Sequence, residues 1–110
     1  VSRQWFYVLD NESNPVKTQN IEEWCEWFST HQTQIGCDTV RDVTISTVFL
    51  GIDHNYSGVG DPLLFETMIF PPHSIDRRIM RCTTHRDAVA LHEAAVRAVT
   101  SWPKTSKEKL

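Results

Sequence analysis

The stretch Val43-Thr44-Ile45-Ser46-Thr47-Val48-Phe49-Leu50, with its continuation Leu63-Leu64-Phe65-Glu66-Thr67-Met68-Ile69-Phe70, decides the fold class. Both segments are rich in β-branched and aromatic residues and are bounded by turn formers, the pattern of strands. The first strand is read over 40–52 and the second over 63–70. Between them lies the polar, glycine-bearing segment Asp53-His54-Asn55-Tyr56-Ser57-Gly58-Val59-Gly60-Asp61-Pro62. The pair is therefore a hairpin whose loop, about nine residues, exceeds the usual two to five. Pairing about Ser57 sets Phe49 opposite Phe65, Thr47 opposite Thr67 and Ile45 opposite Ile69. With Val43 and Leu63 these residues make one core-facing layer.

Working outward, Trp5 to Leu9 reads as a short strand that ends at the turn formers Asp10-Asn11-Glu12-Ser13-Asn14-Pro15. A helix follows. Asn20 is placed to cap it, Glu22 and Glu23 suit its positive end, and Ile21, Trp24, Cys25 and Phe28 form an apolar stripe widened by Trp27. The helix fades over 30–34, and Gly36 punctuates a loop. On the other side of the hairpin, Pro71-Pro72 breaks the second strand, and 77–83 alternates as a third. Thr84 then caps a second helix with the stripe Ala88, Leu91, His92, Ala95 and Val99. The expectation is an α+β fold: a β-α-β-β-β-α two-layer sandwich with an antiparallel sheet and helices on one face. Residues 1–101 form a single domain, and 102–110 a flexible C-terminal tail.

Length and composition agree with one ordinary domain: 110 residues, 40% hydrophobic and 23% charged, with none of the bias of disordered or fibrous chains. The net charge of −3 lacks the basic footprint of a phosphate-backbone binder. The carboxylates concentrate in Glu12 to Glu26 and the arginines in Arg77 to Arg97. The cysteines, Cys25, Cys37 and Cys82, are odd in number and form no CxxC pair, so reduced thiols of a cytoplasmic protein are expected. No apolar run approaches the roughly 20 residues that span a bilayer, so no membrane partner is expected.

The other parity of the hairpin carries Val48, Leu50, Leu64, Glu66, Met68 and Phe70. An antiparallel sheet with helices on one side should present mostly polar residues on the other. Five large apolar side chains there need cover, either from this chain or from a second copy or another protein. Glu66 among them needs a partner or a shifted pKa.

For chemistry, the Asp53-His54-Asn55-Tyr56 segment is the candidate site. An imidazole beside a carboxylate, an amide and a phenol suits acid–base work, metal ligation or recognition. The competing reading is an ordinary turn whose Asp and Asn satisfy local backbone groups. No catalytic residue is assigned, no cofactor is implied, and no metal-ligand spacing occurs; a metal site would need remote positions such as His54, Glu66 and His92. His92, on an apolar helix face, reads as a hydrogen-bonded core histidine. Cys25 reads as buried on its stripe; Cys82, beside Arg81 and before a helix N-terminus, has a setting that could lower a thiol pKa, but its strand position favours packing. The order from Ile21 onward also has the topology of double-stranded RNA-binding domains. The start Thr84-His85-Arg86-Asp87-Ala88 lacks their cluster of cations, so nucleic acid is an unlikely partner.

The segments Ser46-Thr47-Val48-Phe49-Leu50-Gly51-Ile52-Asp53-His54 and Pro62-Leu63-Leu64-Phe65-Glu66-Thr67-Met68-Ile69-Phe70, with Tyr7-Val8-Leu9-Asp10 and Glu26-Trp27-Phe28, resemble a group of small phage and prophage proteins. The likeness runs from Tyr7 to about Val99. It departs at Arg81-Cys82-Thr83-Thr84-His85, where the group often reads Arg-Tyr-x-Thr-Trp, and this weakens a role for aromatics there. The resemblance implies an origin in the cytoplasm of an infected bacterial host cell. It implies an accessory protein that acts by binding, as an inhibitor or sequestering module for a host protein or small ligand. Self-association through the second sheet face, as a homodimer or other homo-oligomer, is the accompanying expectation, with Val48, Leu50, Leu64, Met68 and Phe70 as the interface. The alternative is a small enzyme or a small-molecule or metal binder using Asp53, His54, Asn55, Tyr56 and Glu66.

Overall fold

The computed structural model describes residues 5–72 and 77–102. Among these residues the chain forms β1 (Phe6–Leu9), β2 (Pro15–Thr18), α1 (Ile21–Thr30), β3 (Gln34–Val40), β4 (Val43–Phe49), β5 (Phe65–Phe70), β6 (Arg78–Cys82) and α2 (His85–Thr100). The fold is α+β, with β1-β2 as a two-stranded sheet and β3-β4-β5-β6 as a four-stranded sheet, both antiparallel. The order therefore contains two strands beyond the expected β-α-β-β-β-α.

Both additions have physical reasons for escaping a pattern reading. β2 begins at Pro15, which lacks an N–H and sits at the end of a ribbon where none is needed. Its partner strand is joined by a turn that Asp10 organises, its carboxylate accepting the Glu12 and Asn14 N–H groups. β3 is an edge strand whose exposed Cys37, Asp38 and Thr39 give no apolar alternation. Gly36 lies inside it, opposite Thr47, next to a register shift between Gln34 and Gly36. Val40 belongs to β3 and pairs with Val43, the first residue of β4. The connection is a two-residue turn in which Arg41 and Asp42 both have positive φ, 49° and 69°, as a type I′ hairpin requires.

The central hairpin has the expected register: Phe49 opposite Phe65, Thr47 opposite Thr67, Ile45 opposite Ile69. The helix-facing parity is Val43, Ile45, Thr47 and Phe49 on β4 and Phe65, Thr67 and Ile69 on β5, and every one of these residues is buried. α2 packs on this face through Ala88, His92, Ala95 and Val99, capped by the Thr84 hydroxyl, which accepts the Asp87 N–H.

α1 is capped as expected by Asn20, which accepts the Glu22 and Glu23 N–H groups. Its packing stripe is rotated, however. Ile21 and Cys25 are exposed, and the face turned inward is Trp24, Trp27 and Phe28. Trp27 meets Phe49 edge-on and Phe28 stacks on it, both at 5.8 Å between ring centres. Gly51 ties the small sheet to the large one. Its carbonyl accepts the Tyr7 N–H and the Trp24 indole N–H, while its φ of 76° and the Phe28 ring against its Cα leave no place for a side chain.

Trp102, expected in a free tail, is held. Its carbonyl accepts from Arg41, its ring lies under the Arg78 guanidinium, and it packs on the cluster of Val43, Ile45, Ile69, Ala95 and Val99. The rest of the expected tail lies outside the described residues.

Candidate functional site

The face of the four-stranded sheet away from the helices is read directly from the register. Val48, Glu66 and Arg81 form one row, Ser46, Met68 and Ile79 the next, and Thr44 and Phe70 a third. α2 lies on the opposite face, and α1 reaches β1, β2 and Phe49, so no described helix or strand forms a second layer here. Val48, Met68 and Phe70 are half-buried, as is Leu50 just past β4, and Ile79 is 46% exposed. Glu66 finds the partner its surroundings demand, an Oε2 to Arg81 Nε contact of 3.0 Å. The Arg77 guanidinium lies 5.3 Å from the centre of the Phe70 ring.

One expected member of this face is corrected. Leu64 is only 1% exposed and belongs to the core with Tyr7, Phe49, Phe65 and Ala88. It precedes the first residue of β5, and its backbone bridges Leu50 and Cys82. Strand alternation therefore does not govern which way its side chain turns. Ile79, on β6, takes its place in the exposed set.

The loop of residues 53–63 is organised by its own side chains. Asp53 Oδ1 accepts the N–H groups of Asn55 and Leu63, at 2.7 and 2.9 Å. Asn55 Nδ2 donates to the carbonyls of Val59 and Asp61, and its Oδ1 accepts from the Ser57 N–H. His54 Nδ1 lies 2.8 Å from the Ile52 carbonyl. That carbonyl can only accept, so Nδ1 carries a proton. Tyr56 is 80% exposed, its ring tilted against that of His54. The carboxylate and amide thus perform the turn chemistry that was the competing reading of this segment.

The wider constellation is not brought together. Glu66 bonds to Arg81, and among the described residues no hydrogen bond or ion pair joins it to Asp53, His54, Asn55 or Tyr56. Asp53 instead lies near Tyr7, whose phenol is pushed up first by burial and then by that negative charge. Among the described residues no three His, Cys, Asp or Glu side chains converge as metal ligands, and His92, the remote third position, is engaged elsewhere.

His92 is the hydrogen-bonded core histidine that its place on an apolar stripe suggested; what reading the sequence missed is the set of partners. Thr67 Oγ1, Thr47 Oγ1 and His92 Nδ1 form a chain with 2.7 Å contacts, and His92 Nε2 lies 2.7 Å from Asp38 Oδ2. Two signals pointed toward it: His92 on an apolar stripe, and Thr47 facing Thr67. The third, Asp38, was hidden in an unrecognised strand. The order carboxylate, imidazole, hydroxyl is that of an acyl-transfer triad. Yet the Thr47 side chain is wholly buried and shared with Thr67, so no substrate reaches it. The chain is a structural layer.

No family model matches the chain, and no curated protein or solved structure does so either.

Part of the basic concentration is engaged within the fold: Arg81 on Glu66, Arg78 on the Trp102 ring, Arg77 on Phe70 and Arg41 on the Trp102 carbonyl, while Arg86 and Arg97 are exposed. Of the thiols, Cys25 and Cys37 are exposed. Burial and then the Asp87 charge push the Cys82 thiol up, as suits the packed reading of this residue and not an activated thiol. Cys82 and Arg81 point to opposite faces of β6, and Arg81 is paired with Glu66. Among the described residues no helix is long and apolar enough to cross a membrane.

Proposed function

We propose that this is an accessory protein of phage or prophage origin that acts by binding in the bacterial host cell, and that two copies pair through the open sheet face. The observation that carries the reading is the set Val48, Met68, Phe70 and Ile79 around the Glu66–Arg81 pair, with no described layer over it. Burying such a face yields stabilisation proportional to the apolar area removed from water. The face is also self-complementary. With one carboxylate and one guanidinium side by side, a two-fold rotation sets one copy's Glu66 against the other's Arg81, as an isologous interface requires. The inhibitor or sequestering role rests on the family resemblance, and the net charge of −3 weighs against nucleic acid.

Sedimentation velocity at tens of micromolar tests the pairing. A dimer is expected for the natural chain and a monomer for Met68→Glu, which would bury an unpaired carboxylate in the apolar face of each copy while leaving the helix-facing core untouched. A monomeric natural chain at that concentration ends the proposal.

A further inference from the structure

The loop of residues 53–63 is held together by its own polar side chains and leaves Tyr56 and Val59 turned outward. Asp53 fixes the loop's two ends, and the His54 N–H donates to the Leu63 carbonyl. Asn55 and Ser57 bind the tip, gathering the backbone of Ser57, Val59 and Asp61. Gly58 and Gly60, at φ of 79° and 93°, supply conformations that side-chain-bearing residues resist. From this pinned backbone Tyr56 and Val59 project with 80% and 79% of their surface in water; among the described residues the next large apolar side chain, Ile21, exposes 54%. Nothing in the turn chemistry requires an aromatic or a valine at those positions.

We infer that this loop is a preformed recognition finger for a partner protein, with Tyr56 and Val59 entering an apolar pocket whose rim is cationic. Three observations support the assignment. A backbone already held in one shape avoids the ordering cost that weakens flexible loops on binding. Tyrosine supplies a large amphipathic contact at small entropic cost and is enriched among the anchors of interfaces. The tip is convex and open, with space around Gly58, so it enters a cavity and does not enclose a small ligand. The rim charge follows from the loop's own composition. It contains no Lys or Arg; of its two carboxylates, Asp53 is half-buried at the base holding the loop's ends, and Asp61 is exposed. Such a loop repels phosphate and attracts a basic protein surface. The inference is independent of pairing through the sheet face.

A photo-crosslinking amino acid placed at position 56, or at exposed Glu12 as a control, in cells that naturally make the protein, tests the finger. The expected result is an adduct with one protein from position 56 that position 12 does not give. That protein, identified by mass spectrometry and purified, is then titrated calorimetrically with natural chain and with Tyr56→Ala/Val59→Ser. The double substitution should weaken binding at least about 30-fold, the loss typical of a truncated anchor, while the thermal unfolding midpoint stays unchanged. No adduct from position 56, the same adducts from both positions, an adduct with nucleic acid, or full affinity in the double variant would each overturn the inference.

Discussion

A methyl group added to Gly36 would lie 2.9 Å from His92 Nε2 and 3.0 Å from Cε1, closer than packed atoms come. The imidazole there bonds to Asp38 through Nε2 and to Thr47 through Nδ1, so it has no free direction in which to retreat. Gly36→Ala should therefore destabilise the fold by about 1–3 kcal/mol, the usual cost of overpacking a well-filled site. The loss should shrink by about 1 kcal/mol or more in a His92→Ala background, where the ring is gone. Urea unfolding of the four members of that cycle checks it, and an equal loss in both backgrounds would refute the contact. Thr47 and His92 were legible as core residues because their positions on strand and helix are periodic. Their mutual bonding was not, since hydrogen bonds between residues 45 apart leave no local trace.

The β3–β4 hairpin turns through Arg41 and Asp42 with both residues in the left-handed region. That region costs an L-residue roughly 1–2 kcal/mol, partly offset for glycine by its greater loss of entropy on folding. Asp42→Gly should thus stabilise the protein by about 0.5–1 kcal/mol, read as a higher urea midpoint with an unchanged slope; a lower midpoint would contradict the turn assignment. Arg41 is left in place because it bonds to the Trp102 carbonyl. This turn explains why β3 went unread. The usual Asn-Gly signal is absent, and the strand it begins from is an exposed edge without alternation. β4, β5, β6 and both helix caps were legible because burial on one face or a single side-chain acceptor imposes a fixed spacing. The α1 stripe was misjudged by about one residue's rotation, since Trp24, Trp27 and Phe28 compete with Ile21 and Cys25 for the inward face, and aromatic area wins.

Across the whole molecule the core divides into two apolar clusters, one around Phe49, Phe65 and Ala88 and the other around Ile45, Ile69, Ala95 and Val99. The layer of Thr47, Thr67 and His92 lies between them. β4, β5 and α2 each contribute to all three levels, whereas α1 has no fully buried residue and joins the large sheet by ring contacts and the Gly51 carbonyl. Native-state hydrogen exchange should accordingly show α1 opening at lower free energy than the paired amides of β4 and β5; uniform protection would mean that the two sheets unfold as one unit. The sequence by itself determined the class of fold, the register of the central hairpin and the surplus of apolar residues on its far face, because alternation and turn chemistry are local and repeat along the chain. Only the tertiary structure decided that Glu66 is neutralised by Arg81, that Leu64 is core, and that the Asp53–Asn55 segment serves its own loop while Tyr56 and Val59 stand in water. Those outcomes depend on which side chains meet across strands and around a loop, and such meetings are set by three-dimensional packing rather than by spacing.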